Sequence, residues 1–369
     1  FITRYNDAVE VLHDHERFAK NYRNTLTAEE QAELPDDPPL LGLVSHHMLN
    51  MDPPDHTRLR SLVNKAFTVR LVEQLEARMV TIAHELIDRV EATGRMDLIE
   101  DYAFPLPVIV IAELLGVPVE DRGRFRAWSH AIVTPTPDAK RTAKKLEKSR
   151  GTMEDFITYL RRISEERRIN PGDDLLSLLL AAEEAGDRLS EDELFSMVLL
   201  LIVVGHETSV NLIGNGMLAL LNHPASMTQL REAPAMMPLA VEEMLRYDCP
   251  VERAPMRFAT TDTDLSGETI RRGDLISVVL GSANRDETEF ERADQFEIER
   301  SPNRHIAFGF GIHYCLGAPL ARSEGRIAIN VLFERLPPMH LAIPSETLRW
   351  GVNPIMRGLQ RLPVEWSIQ

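Results

Sequence analysis

The segment FGFGIHYCLG, residues 308–317, surrounds Cys315 with three glycines. Glycine adopts positive φ and lets the backbone approach a flat ligand, so backbone N–H groups here can point at the sulfur. A helical pattern begins just after Cys315, and the positive end of that helix favours a thiolate. The segment therefore predicts that Cys315 is the ligand of a metal or cofactor and not a buried structural cysteine.

Composition narrows the class of protein. The 369 residues carry 41 basic and 57 acidic side chains, a net charge of −16, which argues against general nucleic-acid binding. Cys249 and Cys315 are the two cysteines, so a disulfide framework is not the organising principle and a reducing, cytoplasmic setting is predicted. The longest strongly apolar run, residues 197–204, is far shorter than the roughly 20 residues that span a bilayer. No membrane anchor is therefore predicted.

Helical periodicity dominates the first two thirds of the chain. Ser190 and Glu193 form a capping-box pattern that starts a helix running to Asn222, roughly 50 Å long at about 1.5 Å per residue. Its middle, residues 197–204, is apolar on every side. We therefore expect this helix to pass through the core.

The last third of the chain carries a small strand region. Two short strand patterns, near residues 256–261 and 274–280, lie on either side of a Ser266-Gly267 turn. Since no linker or repeat interrupts the sequence, residues 1–369 are predicted to form a single mainly α domain with a minor β region. The first residues have the pattern of a strand that runs directly into a helix, so we expect some N-terminal residues to be missing.

A polar step, Gly205-His206-Glu207-Thr208, interrupts the most apolar helix. Buried polar groups are costly unless they are used, so an acid and a hydroxyl at this place indicate a function. A zinc motif would need a second histidine four residues after His206, and Val210 stands there. The glycine pair before Cys315 also lacks the third glycine of a dinucleotide fingerprint.

Three motifs, in this order along the chain, resemble those of cytochromes P450. The residues Gly205-His206-Glu207-Thr208 are similar to the oxygen-activation motif, Glu243-x-x-Arg246 is similar to the Glu-x-x-Arg signature, and the FxxGxHxCxG spacing of residues 308–317 resembles the haem-binding loop. The resemblance covers nearly the whole chain and is to the soluble bacterial class. It implies the helical triangular prism of that family and haem b (iron protoporphyrin IX), with Cys315 as the iron ligand.

The resemblance also implies an activity. It is that of a monooxygenase that inserts one oxygen atom of O2 into a small hydrophobic organic substrate, in secondary metabolism. Electrons would come from NAD(P)H through an external ferredoxin and ferredoxin reductase. A haem-thiolate peroxygenase or isomerase on the same fold is one alternative, and a haem-binding sensor without turnover is another. A third is a helical protein without haem, which would purify colourless.

Five side chains near the haem centre receive roles from the resemblance. Thr208 would donate a hydrogen bond to dioxygen, and Glu207 would supply protons through water. Val203, Val204 and Ala254 would line the substrate pocket. Because many relatives have alanine where this chain has Val204, the larger side chain would narrow the pocket.

The resemblance further implies residues that hold the cofactor and stabilise the fold. Arginine binds carboxylates through two N–H groups, and histidine also suits this task. The residues that match the propionate ligands of the family are His56, Arg60, Arg257 and His305. The residues that match its buried ion network, which serves folding and haem retention, are Glu243, Arg246 and Arg300.

Overall fold

A computed structural model describes residues 1–34, 47–121, 123–124, 128, 139–184 and 186–368. Helices dominate it, which confirms the mainly α prediction. In chain order they are α1 (Tyr5–His13), α2 (Ala28–Ala32), α3 (Asp55–Ala66), α4 (Val69–Ile87), α5 (Pro105–Leu114), α6 (Ala139–Ile169), α7 (Leu175–Ala181), α8 (Glu191–Gly205), α9 (Glu207–Asn222), α10 (Pro224–Glu232), α11 (Met237–Tyr247), α12 (Leu280–Ala283) and α13 (Ala318–Arg335).

The strands are short and pair antiparallel. They are β1 (Phe18–Ala19), β2 (Arg95–Asp97), β3 (Glu183–Glu184), β4 (Asp187–Arg188), β5 (Arg257–Ala259), β6 (Thr263–Leu265), β7 (Glu268–Ile270), β8 (Leu275–Ile276), β9 (His340–Leu341) and β10 (Pro363–Glu365). One sheet has the order β1-β5-β8, another β2-β10-β9, and β3-β4 and β6-β7 form two-stranded pairs. The predicted Ser266-Gly267 turn joins β6 to β7, with φ of 50° and 85° at its two residues.

The capping box at the start of α8 is confirmed. The Glu193 N–H donates to the Ser190 hydroxyl over 3.2 Å, and the Ser190 N–H donates to the Glu193 carboxylate over 2.9 Å. Most side chains along α8 and α9 are buried, so the pair of helices passes through the core as predicted.

The prediction of one unbroken helix from Ser190 to Asn222 is wrong at a single residue. Helix α8 ends at Gly205 and α9 begins at Glu207, with His206 between them at φ −115° and ψ −45°. The Thr208 hydroxyl donates to the Val204 carbonyl over 2.9 Å, four residues earlier. Such a side-chain bond competes with the helical N–H and bends the helix.

The α8–α9 pair is also long and apolar. Within the described part of the chain, Glu191–Asn222 is long and apolar enough to cross a membrane, but 76% of its most apolar window is buried inside the fold. Core helices of soluble proteins pass the same test, so this is weak evidence for a membrane span.

The position of α13 links the cysteine loop to the central helices. Helix α13 packs against α4, α9 and α11. The Tyr102 hydroxyl, before α5, donates to the Ala328 carbonyl on α13 over 2.8 Å. Because α13 begins three residues after Cys315, this packing fixes the cysteine loop relative to the helix that carries Glu207 and Thr208.

Candidate active site

The cysteine loop is folded tightly against the end of α1. The Cys315 N–H donates to the Phe308 carbonyl over 2.9 Å, which closes the loop. Gly309 and Gly311 have φ of 74° and 73°. A Cβ at Gly311 would lie 2.6 Å from the Leu12 carbonyl oxygen, so no side chain fits there. The predicted positive φ is thus confirmed at both glycines, and the close approach at Gly311 is to the backbone of α1.

The backbone N–H groups of Gly317 and Ala318, at the start of α13, lie near the Cys315 sulfur and lower its pKa, and the Ala318 N–H also lies 3.4 Å from the Cys315 carbonyl oxygen. The side chain is surface-accessible, although protein crowds it closely. Burial is the largest influence on the pKa of this thiol and raises it, against the two N–H groups, Arg60 and Arg322, which lower it. The helix end alone therefore does not produce the thiolate, whereas a bound metal ion deprotonates a coordinating thiol outright.

Cys249 is a contrasting, structural cysteine. It is buried, its thiol donates to the Val251 carbonyl over 3.0 Å, and burial raises its pKa to about 12. Cys315 is thus the one of the two cysteines that an incoming ligand can reach.

A partly buried cluster of basic side chains lies near Cys315: His56, Arg60, Arg257 and His313. We call it the cationic cluster. The rings of His56 and His313 are 4.2 Å apart between centroids, and Arg60 influences the pKa of both imidazoles and of Cys315. Burial lowers the pKa of His56 to about 4, that of His313 to about 2 and that of Arg257 to about 10. Each pKa is depressed because the charged form is poorly solvated at this place.

Several nitrogens of the cluster have no hydrogen-bond partner among the described residues: His56 Nδ1 and Nε2, His313 Nε2 and Arg257 Nε. Buried polar atoms are normally bonded, so orphaned donors indicate a missing acceptor. Two carboxylates, such as the propionates of haem, would supply both the acceptors and the compensating negative charge. The residues present therefore fit that group.

His305 is the exception among the four expected propionate ligands. Its Nε2 bonds to Glu242 over 3.0 Å, and its Nδ1 accepts the Ala307 N–H over 3.2 Å, so both ring nitrogens are engaged. Glu242 also accepts two bonds from Arg322, at 2.7 and 2.8 Å. The Glu242–Arg322 ion pair thus joins α11 to α13. His313 was not among the predicted propionate ligands, although it lies only two residues before Cys315.

The start of α9 carries the acid and the hydroxyl. Burial raises the pKa of Glu207, and the Asn353 amide, which donates to this carboxylate, lowers it. The second oxygen, Oε2, is buried with no partner in the described chain. Thr208 departs from expectation, because its single hydroxyl proton is donated to the Val204 carbonyl. In this arrangement the hydroxyl has lone pairs left to accept a hydrogen bond rather than a proton to donate.

A second buried acid lies next to this motif. Glu324 on α13 is 1% exposed, bonds with Ser209 on α9, and has one unpartnered oxygen. Burial raises its pKa to about 8. The sequence offered no signal for this contact, because its two residues are far apart in the chain.

Glu324 should make stability depend on pH. Its pKa in the folded state is above that of an unfolded chain, so its contribution to stability is lost as the pH rises from about 4.5 to about 8. We expect Glu324→Gln to raise the free energy of unfolding by about 2–3 kcal/mol at pH 7 and to have little effect at pH 4.5. Urea unfolding at the two pH values measures this.

Glu334→Gln, on the exposed side of the same helix, is the matched control and should change little at either pH. An equal loss of stability at both pH values in Glu324→Gln would show that the carboxyl is needed for packing instead.

Glu243, Arg246 and Arg300 form a buried ion network. Arg246 donates two bonds of 2.8 Å to Glu243, and the two side chains are 0% exposed. Arg300 donates to the same carboxylate over 3.1 Å. Arg246 also donates to three backbone carbonyls, those of Asn284, Ala293 and Gln295. All five of its N–H donors are thereby used.

Removing one partner of this network should be strongly destabilising. Glu243→Ala leaves a buried guanidinium unpaired, and such changes cost about 3–5 kcal/mol. Urea unfolding of the holoprotein, followed by both far-UV circular dichroism and the Soret band, measures the loss. Arg271→Met breaks an exposed pair with Asp262 and should leave the unfolding midpoint nearly unchanged. Equal effects in the two variants would contradict a stabilising role for the buried network.

The expected pocket residues are only partly described. Val204 is partly buried, and Ala254 is 6% exposed with its N–H bonded to the Val278 carbonyl over 2.9 Å. The side chain of Val203 lies outside the described residues.

The fold and this arrangement define a helical haem-thiolate protein. An accessible cysteine lies near two backbone N–H groups at a helix end, beside a partly buried cluster suited to two carboxylates. Glu207 and Thr208, a partly buried acid and a hydroxyl, lie on α9, and α13, which begins three residues after Cys315, packs against α9.

Comparisons with known proteins agree with this class of protein. The cytochrome P450 family model matches residues 95–337. The polyketide biosynthesis cytochrome P450 PksS of Bacillus subtilis is 46% identical over 366 residues, covering 99% of this chain and 88% of that protein. The vitamin D(3) 25-hydroxylase of Pseudonocardia autotrophica is 45% identical over 364 residues, covering 98% and 87%.

Solved structures show the same fold. The PksS structure superimposes with a TM-score of 0.91 at 44% identity, covering 100% of this chain and 90% of that one. A myxobacterial cytochrome P450, CYP267B1, in complex with myristic acid gives 0.88 at 45% identity, also covering 100% and 90%. The chain belongs to the cytochrome P450 family. It is a cytochrome P450 monooxygenase, and the family implies haem, a redox partner and a hydrophobic substrate.

Proposed function

We propose that this chain, as a single cytoplasmic domain over residues 1–369, inserts one oxygen atom of O2 into an extended hydrophobic molecule. The observation that carries the proposal is the accessible Cys315, near two N–H groups at the start of α13. Relatives support the substrate class, since they are named for polyketide biosynthesis and for vitamin D(3) hydroxylation, and one was solved with myristic acid.

The cofactor would be held at two places. Cys315 is the proposed iron ligand, and His56, Arg60, Arg257 and His313 are the proposed propionate ligands. Haem, when bound, supplies the iron at which dioxygen is reduced by two electrons. His56 and Arg257, which are buried, would hold its propionates away from bulk water.

Glu207 and Thr208 are proposed to handle protons. Burial raises the pKa of Glu207, so this carboxyl holds its proton more readily than an exposed glutamic acid. Asn353 fixes one end of the carboxyl group, and the other oxygen has no partner in the described chain and can bond to water. The Thr208 hydroxyl donates its proton in a hydrogen bond to the Val204 carbonyl, so it can accept a hydrogen bond and orient that water.

Electrons are proposed to come from NAD(P)H through a ferredoxin and its reductase. Cytochrome P450 relatives use redox partners, which supports a separate electron donor.

The test begins with a search for substrates. Fatty acids, macrolactones and secosteroids are added to the holoprotein, and a Soret shift identifies compounds that displace iron-bound water. Each binder is then incubated with ferredoxin, reductase, NADPH and ¹⁸O₂. The proposal expects substrate-dependent NADPH consumption and one ¹⁸O atom per product molecule. Product from hydrogen peroxide alone would favour a peroxygenase, and binding without any NADPH consumption would favour a sensor.

A further inference from the structure

Lys20 is a buried lysine beside the cationic cluster. It follows β1 directly and is 6% exposed. In the β1–β5 ladder, Phe18 pairs with Ala259 and Ala19 with Phe258. The next step of this register places Lys20 opposite Arg257, one of the proposed propionate ligands. A lysine is rarely buried unless it is paired.

The ammonium of Lys20 is only partly satisfied. It donates to the Met256 carbonyl over 2.6 Å, the one acceptor that the described chain gives it. An ammonium has three N–H donors, so two remain for another acceptor. Asp52 accepts no bond from this ammonium; its oxygens accept the backbone N–H groups of Lys20 and Asn21, at 2.8 and 2.9 Å, and the Asn24 side chain at 2.8 Å. Asp52 thus fixes the backbone that carries Lys20.

The charges around Lys20 also indicate that an anion is missing from this place. Burial and, to a smaller extent, Arg257 lower the pKa of Lys20 to about 7, against the opposing effect of Asp52. Lys20 and Arg257 are both near enough to His313 to act on it electrostatically, as are His56 and Arg60. The cations Lys20 after β1, Arg257 on β5 and Arg60 on α3 therefore converge on one space. Such a group is stable only with an anion among its members.

We propose that Lys20 is a further cofactor ligand, whose ammonium binds a haem propionate beside Arg257. The proposal rests on the haem site proposed above and adds a residue that no motif in the sequence indicates. Two propionates bring two negative charges. Together with the carboxylate of Asp52, they balance the positive charges of Arg257, Arg60 and Lys20.

A pH dependence follows from this contact. A propionate raises the pKa of Lys20 above its value of about 7 without that anion. The contribution of Lys20 to haem retention is therefore complete below pH 7 and is lost as the pH rises through the higher value in the holoprotein. An arginine at this position would stay charged and keep its contribution throughout.

The test uses the holoprotein and needs no turnover. Haem transfer to excess apomyoglobin is timed from pH 6 to pH 10 for the wild type, Lys20→Met and Lys20→Arg. We expect Lys20→Met to lose haem about tenfold faster at pH 7, the effect of one lost bond to a charged group. Lys20→Arg should stay near the wild type at pH 7 and lose less retention at high pH. Lys65→Met, an exposed lysine on α3, is the control and should match the wild type.

The midpoint potential of the haem is a second readout. Removal of a nearby cation stabilises the oxidised, more positive state, so Lys20→Met should have a more negative potential and Lys65→Met should not. Unchanged haem transfer and potential in Lys20→Met would overturn the proposal. So would weaker binding of a fatty acid with unchanged haem retention, which would assign Lys20 to the substrate. Failure of the wild type itself to hold haem would instead overturn the proposed function.

Discussion

Replacing Cys315 with serine is expected to abolish the strongly red-shifted Soret band that the reduced carbon monoxide complex of a thiolate-bound haem displays. A serine hydroxyl is a far weaker ligand, because it does not ionise at neutral pH as a metal-bound thiol does. The reduced, carbon monoxide-treated spectra of the wild type and the variant measure this change. Monooxygenation should be lost with the band, since the thiolate pushes electron density to the iron and favours O–O cleavage.

Cys249→Ser provides the matched control. Cys249 is buried and bonded to the Val251 carbonyl, so its replacement should leave the red-shifted band intact. If the Cys249 variant lost the band and the Cys315 variant retained it, the ligand assignment would be wrong. Retention of haem itself by Cys315→Ser is compatible with the assignment, because the cationic cluster would still bind the propionates.

Changes at Glu207 and Thr208 are expected to separate electron consumption from product formation. Positioned proton transfer contributes typically about 10²–10⁴-fold to a rate. Thr208→Ala should still bind haem, substrate and O2 and should still consume NADPH, but it should release mostly hydrogen peroxide. Glu207→Gln should slow proton delivery with little change in substrate affinity. The measurement is product formed per NADPH consumed in the wild type and both variants.

The hydrogen bond from Thr208 to the Val204 carbonyl refines this test. Thr208→Ser keeps a hydroxyl that can accept a hydrogen bond and should retain most of the coupling, whereas Thr208→Val keeps the shape and should lose it. Equal coupling in wild type, Thr208→Val and Glu207→Gln would mean that the pair is only structural.

The motifs that were predicted correctly depend on short-range geometry. The capping box of Ser190 and Glu193 and the glycine-lined turn before Cys315 are each set by residues within a few positions of one another. Sequence spacing therefore contains the information needed to place them. The class of fold follows from helical periodicity, which is also local.

The errors arose where the outcome depends on long-range packing. His305 and His313 both precede Cys315 closely in the sequence. Two long-range contacts decide which imidazole joins the cluster: Gly311 packs on the end of α1, and His305 pairs with Glu242. The break at His206 results from a side-chain bond that helical periodicity does not register.

Some contacts at the site were beyond any sequence pattern. Asn353 meets Glu207, and Glu324 meets Ser209, across more than 100 positions of the chain. Lys20 joins the cationic cluster because Asp52 holds its backbone and β1 pairs with β5. Each of these needs the assembled fold before the partners are known.

The hydrogen bonds of Arg246 have a consequence for how this chain can diverge. Residues 285–300 contain no regular helix or strand, yet the Arg246 guanidinium holds their backbone through the carbonyls of Ala293 and Gln295, and Arg300 donates to further carbonyls of the segment. Every amino acid carries such a carbonyl, so this contact places no demand on which side chains follow one another in the segment. Exposed positions there, such as Gln295, are free to drift over evolutionary time, while the arginine that gives the segment its shape is not.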